Sequence, residues 1–177
     1  MKKSIVLIII IILLIFLNSK NVYSEVIIPD EAIRFRVIGN SNSIYDQNVK
    51  IQIRNILQNE ILSLIDNSEN IDDTRKIIKE HIEELSEITR NKLNELGYDK
   101  SFKINYGYNY FPEKNYKGVK YKEGYYESLV VTLGNGDGDN FWCVLFPPLC
   151  TLETNDSNID KVEYSFFIKE IIEKFFD

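Results

Sequence analysis

The sequence predicts a single α+β domain, in which helices pack on one face of a mainly antiparallel sheet in the order β-α-α-β-β-β-α. Two long segments carry apolar residues spaced by three and four, which is typical of helices that cover a sheet. The segments around them alternate apolar and polar residues, or are short and apolar, as strands are.

The first strand is predicted over residues 33–38, IRFRVI, where apolar side chains alternate with Arg34 and Arg36. We expect the apolar side chains to face the core and the two arginines to face solvent. After a turn of glycine, asparagine and serine, Ser43 begins a capping-box pattern. The first helix is expected to run from there to about Asp66.

The second helix is predicted between Asn70, which can cap its first turn, and Gly97, a favourable residue just past a helix end. Its apolar positions form one stripe, as those of the first helix do. Because only a short turn separates the two helices, we expect them to lie antiparallel over one face of the sheet.

Three strands follow, over residues 102–110, 125–133 and 141–146. The first has one aromatic face, and a polar loop leads from it to the second. The glycine-rich segment 134–139, GNGDGD, is expected to join the second and third strands as a hairpin turn.

The two ends of the chain frame this domain. Residues 1–24 have a short basic start and an apolar run too short to span a bilayer, as in a secretory signal peptide, although an uncleaved anchor is the alternative. Residues 25–30 are expected to be a linker, and residues 31–177 the domain. A polar loop over 152–159 precedes a last helix, 164–176.

The charge excludes some classes of partner. The net charge is −6, and it becomes more negative if Lys2, Lys3 and Lys20 leave with the signal segment. An acidic protein of this kind is repelled by nucleic acid and by anionic membrane surfaces. We therefore expect no nucleic-acid partner.

No catalytic or metal-binding pattern is recognised. His81 is the only histidine, and its charged neighbours favour a solvated position on a helix. The segment 134–139 could be a calcium loop, with Asp137 and Asp139 as ligands, but no glutamate closes the cage and the hairpin turn is favoured. Asp72-Asp73-Thr lacks the glycine of an aspartic peptidase motif. We expect no catalytic residues, no metal and no cofactor.

The ten residues 141–150, FWCVLFPPLC, hold the only tryptophan and both cysteines. Pro147 and Pro148 must end the strand, because proline has no N–H for a sheet. Cys143 and Cys150 flank this corner. A disulfide is favoured by an exported location, and two buried free thiols are the alternative.

Together these residues resemble the stage II sporulation protein R family of endospore-forming Firmicutes. The matching stretches are residues 33–41, 111–114 with Tyr116, 126–129 and 134–150. The resemblance covers residues 30–152, and the 139–150 motif is highly specific. Gly39 stands where the family usually has alanine, and Phe141 where it usually has a second tryptophan.

The resemblance implies a secreted, membrane-associated intercellular signal of sporulation. Such proteins are exported across the forespore membrane into the space between forespore and mother cell, with signal peptidase acting on the export segment. There they activate a membrane-embedded peptidase of the mother cell, which processes pro-sigma E. Their action would be binding and not catalysis. An exported enzyme, such as a cell-wall hydrolase, and a calcium-dependent wall-binding module are the alternatives.

The family defines no catalytic residues to carry over, so the partner-contact surface has to be inferred from residue type. Tryptophan and arginine are favoured at the centres of interfaces, and rigid proline corners lower the ordering cost of binding. The candidate contact residues are Arg34, Arg36, Asn40, Asn42, Trp142, Pro147 and Pro148. Trp142 could equally be part of the core, and the two prolines could simply end a strand.

Overall fold

The computed structural model describes residues 26–116, 119–150 and 161–176. The elements are β1 (Val26–Ile27), β2 (Ile33–Ile38), α1 (Ile44–Ile65), α2 (Ile71–Glu80), α3 (Ile82–Glu95), β3 (Phe102–Phe111), β4 (Lys114–Tyr116), β5 (Val119–Tyr121), β6 (Gly124–Leu133), β7 (Asn140–Phe146) and α4 (Lys161–Phe176). The predicted class and the order of the main elements are confirmed. The signal segment, 1–24, and the polar loop, 152–159, lie outside the described residues. Within the part that is described, no helix has both the length and the apolar character to cross a membrane.

The main sheet has four strands in the order β3-β6-β2-β7. β3 pairs with β6, and β7 with β2, in antiparallel fashion, whereas β2 and β6 run parallel. The sheet is therefore mixed, with antiparallel pairings in the majority. β2 pairs on both sides, which fits its low exposure: Arg36 and Ile38 are partly buried and its other residues are buried.

The prediction of a hairpin between β6 and β7 is wrong, because β2 lies between them. Segment 134–139 does not turn back on its own strand but crosses the end of β2. Gly134 and Gly136 have positive φ angles of 54° and 75°, so glycine is required there, although for a crossover and not for a two-strand turn. Local turn preference could not distinguish these cases, since both need left-handed residues.

Two helix boundaries predicted from capping residues are confirmed. Ser43 Oγ accepts a hydrogen bond of 3.1 Å from the Asp46 N–H at the start of α1. Asn70 Oδ1 accepts one of 3.0 Å from the Asp73 N–H at the start of α2. Each bond satisfies an amide group that has no partner inside the helix.

The second helical segment is broken at His81, which corrects the prediction of one continuous helix. His81 has φ −105° and ψ 10°, and its N–H is shared between the carbonyl groups of Ile77 and Ile78. Its ring nitrogen Nδ1 lies 2.7 Å from Ile77 O. A side chain that bonds the backbone one turn earlier competes with continuation of the helix. α2 therefore ends at Glu80 and α3 begins at Ile82.

The first face of the sheet packs against α1, α2 and α3. The buried residues of this core include Ile33, Phe35, Val37, Val49, Ile53, Leu57, Ile61, Ile78, Leu85, Leu129, Val131 and Leu133. Full burial of such side chains contributes about 1.5–3 kcal/mol each against the entropy of folding. The predicted apolar stripes of both helical segments are the ones that are buried.

The second face of the sheet is also covered, by a small sheet in the order β1-β5-β4 and by α4. Ile28, from the stretch expected to be a linker, is 2% exposed, and β1 pairs in parallel with β5. The expected loop between β3 and β6 contains β4 and β5. The N-terminal stretch is therefore held by the fold from Val26 onward.

Candidate functional site

Arg34 lies on the second face of the main sheet, the face covered by the small sheet, and is 1% exposed, so the expectation that it faces solvent is wrong. Its guanidinium carbon lies 3.3 Å from the Tyr126 ring centroid, 5.5 Å from that of Phe111 and 5.9 Å from that of Tyr121. Its Nε, Nη1 and Nη2 atoms have no hydrogen-bond acceptor within the described part of the chain. Burial lowers the pKa of Arg34, but an arginine remains protonated at neutral pH.

Arg36 is two residues further along β2 and points to the same face of the sheet, but it is only partly buried. It stands opposite Trp142 in the β2–β7 register, and its guanidinium carbon is 5.6 Å from the Trp142 ring. Its Nη1 donates to Tyr110 O at 3.3 Å. Burial also lowers its pKa. Arg34 and Arg36 thus cover one side of an aromatic core.

Trp142 belongs to that core and is 8% exposed. Its ring packs edge-on against Phe111 at a centroid distance of 5.2 Å, and Lys114 Nζ lies 4.8 Å from it. We call Arg34, Arg36, Phe111, Tyr126 and Trp142 the arginine–aromatic cluster. Within this cluster the guanidinium groups of the two arginines are attracted to the aromatic rings, in a place with little access to water.

Asn40 and Asn42 hold the crossover segment 134–139 in place. Asn40 Oδ1 accepts from the Asn135 N–H at 3.1 Å, and Asn42 Oδ1 accepts from the Asp139 N–H at 2.7 Å. Backbone bonds link the same two stretches, among them Gly138 N–H to Gly39 O at 2.9 Å. Both asparagine side chains thus accept hydrogen bonds from within the same chain, although Asn42 is exposed.

Asp46 lies directly behind this junction and is 4% exposed. Its Oδ2 accepts from Ser41 Oγ at 2.5 Å and from Asn40 Nδ2 at 2.8 Å. These two hydrogen bonds lower the pKa of Asp46, with Lys100 adding a smaller attraction. The carboxylate therefore fixes the turn after β2 and is held in its charged form.

Pro147 and Pro148 form the corner after β7. Pro147 is buried and Pro148 partly exposed. Cys143 and Cys150 are joined by a disulfide with a Cα–Cα distance of 5.2 Å, and the buried Gln58 donates to Cys150 O at 2.8 Å. The corner is thus tied both to its own strand and to α1.

A pocket of about 200 Å³ opens beside this corner. Its lining residues are Leu62, Ile65, Asp66, Ser68, Leu145, Phe146, Pro148 and Phe175. The volume is below the roughly 300–1,000 Å³ of small-molecule sites, so the pocket suits one side chain better than a metabolite.

Glu127 was not singled out from the sequence, although it is a buried charge on β6. Arg75 contacts both of its carboxylate oxygens at 2.7–3.0 Å, and Tyr106 Oη donates to it at 2.8 Å. The hydrogen bonds from Arg75 lower the pKa of Glu127, while burial raises that of Tyr106. A single acid inside an apolar strand is the signal that could have revealed it, since such a charge requires a partner.

The candidate contact residues do not form one surface. Asn40 and Asn42 lie beyond the end of β2 where β7 begins, and the proline corner lies at the other end of β7. A strand of this length separates them by roughly 20 Å. Arg34, Arg36 and Trp142 meet on the sheet face between them.

The described residues hold no group of three or more histidine, cysteine or acidic side chains placed to bind a metal. Asp46 and Glu127 are the buried acids of the described part, and hydrogen bonds stabilise both as carboxylates. A general acid requires the opposite, a raised pKa. His81 is half-buried at the break between α2 and α3 and contacts a backbone carbonyl.

Comparison with known proteins gives two matches. A family model described as Stage II sporulation protein R matches residues 29–156. The Stage II sporulation protein R of Bacillus subtilis (strain 168) is 37% identical over 142 residues, which cover 80% of this chain and 63% of that protein. The chain therefore spans less than two thirds of the length of this relative. No solved structure matches the chain.

Proposed function

The chain belongs to the stage II sporulation protein R family, and on that premise we propose that it is an exported signal that activates a membrane-embedded peptidase of the mother cell. In this proposal the protein crosses the forespore membrane. It then binds the peptidase in the space between the two cells, and pro-sigma E is processed as a result. The observation that carries the proposal is the family match over residues 29–156.

The N-terminal sequence supports the export step. Residues 1–24 have the basic start and the apolar run that a signal segment needs. Signal peptidase would then act near the start of the described domain. The disulfide between Cys143 and Cys150 fits an oxidising location outside the cytoplasm.

Binding, and not catalysis, is the proposed mode of action. The two buried carboxylates of the described part are held charged by their donors, and neither is poised to give a proton. A binding protein activates an enzyme when it has a higher affinity for the active state than for the inactive one. No reaction on the signal itself is needed.

The proposed contact point is the pocket beside Pro148. Five of its lining residues are large and apolar or aromatic, so its occupant would be an apolar side chain of the peptidase. Asp66 at the rim, and the absence of a basic residue in the last turn of α1, favour a peptidase segment that also carries a lysine or arginine. Of the candidate contact residues, Pro148 is the one that reaches this pocket.

The function is tested by co-expressing the full-length chain with the peptidase and pro-sigma E in a host that does not sporulate. We expect immunoblots to show cleavage of pro-sigma E only when all three proteins are present. Cleavage that is equally efficient without the chain, or absent with it, contradicts the proposal.

The contact point is tested in the same host with Leu62→Trp, which fills the pocket from α1. The matched control is Ser63→Trp on the exposed side of the same helix. We expect Leu62→Trp to reduce cleavage strongly and Ser63→Trp to preserve it, with both proteins folded by circular dichroism. Full activity of a folded Leu62→Trp variant excludes the pocket as the contact point.

A further inference from the structure

Strand β3 forms an outer edge of the main sheet. It pairs with β6 over ten consecutive residue pairs without a register shift, and within the described residues no strand pairs with its other side. An unpaired edge presents a row of backbone donors and acceptors to other chains. The edge of β3 is therefore a potential pairing surface.

The backbone groups that point outward can be assigned. Gly134 N–H donates to Ser101 O at 2.7 Å, which makes these two residues the hydrogen-bonded pair that precedes β3. Hydrogen-bonded pairs alternate along an antiparallel ladder. Odd-numbered residues of β3 therefore bond to β6, and the amide groups of Ile104, Tyr106 and Tyr108 point away from the sheet.

This edge has few of the features that normally prevent pairing. β3 contains no proline and no register shift against β6, and Lys103 is its only charged residue. It bends at Gly107, since Asn105 Nδ2 donates to Asn109 Oδ1 at 2.7 Å, a contact that two side chains four residues apart cannot make along a straight strand. Tyr108 is 74% exposed and Tyr110 48% exposed, on the face of the sheet that carries the helices. Exposed tyrosines along an open edge are typical of an interface, where aromatic residues are enriched.

The sequence of β3 is nearly symmetric about Gly107. Read outward in both directions, tyrosine is followed by asparagine and then by a large apolar or aromatic residue, in the segment INYGYNY over 104–110. A twofold interface needs such self-complementarity, because residue i of one copy meets residue j of the other and the reverse contact also forms. A strand of an unrelated protein would place no such demand on β3.

We propose that two copies of the chain pair through their β3 edges, antiparallel about a twofold axis at Gly107. Tyr106 then stands opposite Tyr108 of the second copy, and Asn105 opposite Asn109 of the second copy. The two sheets become one continuous sheet of eight strands. This inference does not depend on the proposed function.

The local geometry fits this pairing. The Gly107 residues of the two copies would face each other at the axis as a pair without hydrogen bonds, the type of pair in which antiparallel strands come closest. A Cβ atom built on Gly107 has nothing within 4 Å, so no neighbouring side chain covers the sheet face at this residue. Tyr110 O already accepts from Arg36, but a carbonyl oxygen can accept a second bond. The exposed Tyr108 would lie beside Tyr106 of the second copy, which the helices partly cover.

The pairing is tested by cysteine cross-linking of the full-length chain. Asn105→Cys and Asn109→Cys are made separately and mixed under mild oxidation. We expect disulfide-linked dimers in the mixture and few in either variant alone, because residue 105 meets residue 109 and not its own copy. No preference for the mixture overturns the proposed register.

Sedimentation of the full-length chain supplies an independent test. Tyr108→Pro removes an outward N–H and no bond to β6, so it should raise the dimer dissociation constant at least about tenfold. The control is Tyr125→Thr, which alters an equally exposed tyrosine on β6 and should leave the constant unchanged. Any association through residues 1–24 is common to all variants and cancels in the comparison.

Two results would overturn the inference. One is a wild-type chain that sediments as a monomer at all concentrations. The other is a dimer whose dissociation constant is the same in the folded Tyr108→Pro variant as in the wild type. If the chain is a monomer and folded Tyr108→Pro no longer stimulates pro-sigma E cleavage, the β3 edge is assigned to the peptidase and not to a second copy.

Discussion

The guanidinium carbon of Arg34 lies 3.3 Å from the centre of the Tyr126 ring, inside a core with almost no access to solvent. Tyr126 is itself fixed, since its Oη donates to Lys122 O at 3.0 Å. Within the described residues the guanidinium has aromatic neighbours but no acceptor. The charge is therefore stabilised mainly by contacts with aromatic rings, which are worth about 2 kcal/mol when desolvated, and Asp30 adds a smaller attraction.

Replacement of Arg34 by methionine should leave the free energy of unfolding within about 1 kcal/mol of the wild-type value. The variant loses the ring attraction but also removes the cost of burying a charge, and it keeps much of the volume. Arg34→Ala, in contrast, leaves a cavity and should cost about 3 kcal/mol. Urea unfolding of both variants measures the difference. Equal losses would show that the guanidinium makes a specific interaction that methionine cannot replace.

Glu127→Gln should destabilise the protein by about 2 kcal/mol at pH 7, because it breaks the charged hydrogen bonds from Arg75. The pKa of Glu127 is lowered in the folded state, so its stabilisation is present above the unfolded pKa of about 4.3 and is lost as pH falls through the folded value. Urea unfolding at a series of pH values should show that the difference in free energy of unfolding between wild type and variant becomes smaller below about pH 4.

The control for this pH profile is Glu87→Gln on the exposed side of α3. We expect that variant to follow the wild-type curve within about 0.5 kcal/mol. If the difference in free energy of unfolding between wild type and Glu127→Gln stays constant down to strongly acidic pH, the carboxylate charge is not what stabilises the site.

Removal of the disulfide in a Cys143→Ala/Cys150→Ala variant should cost about 2–3 kcal/mol, since the closed loop is short and constrains little of the unfolded chain. Urea unfolding with and without reductant measures this. Reductant should destabilise the wild type by a similar amount and leave the double variant unchanged. A wild type whose stability is the same after full reduction would show that packing alone holds the proline corner.

Gly138→Ala should destabilise the protein by about 2 kcal/mol through overpacking at the crossover. A Cβ atom at position 138 would lie 2.4 Å from Ser41 O and 2.9 Å from Gly39 O, and both are backbone atoms that cannot move aside easily. Asp137→Ala is the neighbouring control, because its exposed side chain can be removed without altering the bond from its N–H to Asn40 O. Thermal unfolding that responds equally to both changes would contradict this role of Gly138.

The elements of the fold follow closely from local sequence. The predicted strand over 33–38 and the helix that begins after Ser43 agree with β2 and α1, because alternation and capping act over a few neighbouring residues. The family resemblance seen in the sequence is confirmed by the match over residues 29–156. The break at His81 escaped prediction, since one side-chain contact to a carbonyl decides it.

The relative positions of the candidate contact residues, in contrast, do not follow from local sequence. Residue type suggested that Asn40, Trp142 and Pro148 could share a surface, but the insertion of β2 beside β7, antiparallel to it, places Asn40 at one end of β7 and Pro148 at the other. Which strand enters the middle of a sheet depends on long-range burial, and hairpin signals are local. The same insertion converts segment 134–139 from a turn into a crossover.

The sequence by itself determined the family, the α+β class and the positions of the main elements, because motifs and periodicity are properties of contiguous residues. Only the tertiary structure decided which faces of those elements are covered. The alternation in β2 predicts that Arg34 faces solvent, yet the small sheet of β1, β5 and β4, together with Tyr126, covers it. Burial is set by what packs on a face from distant parts of the chain, and no local pattern carries that information.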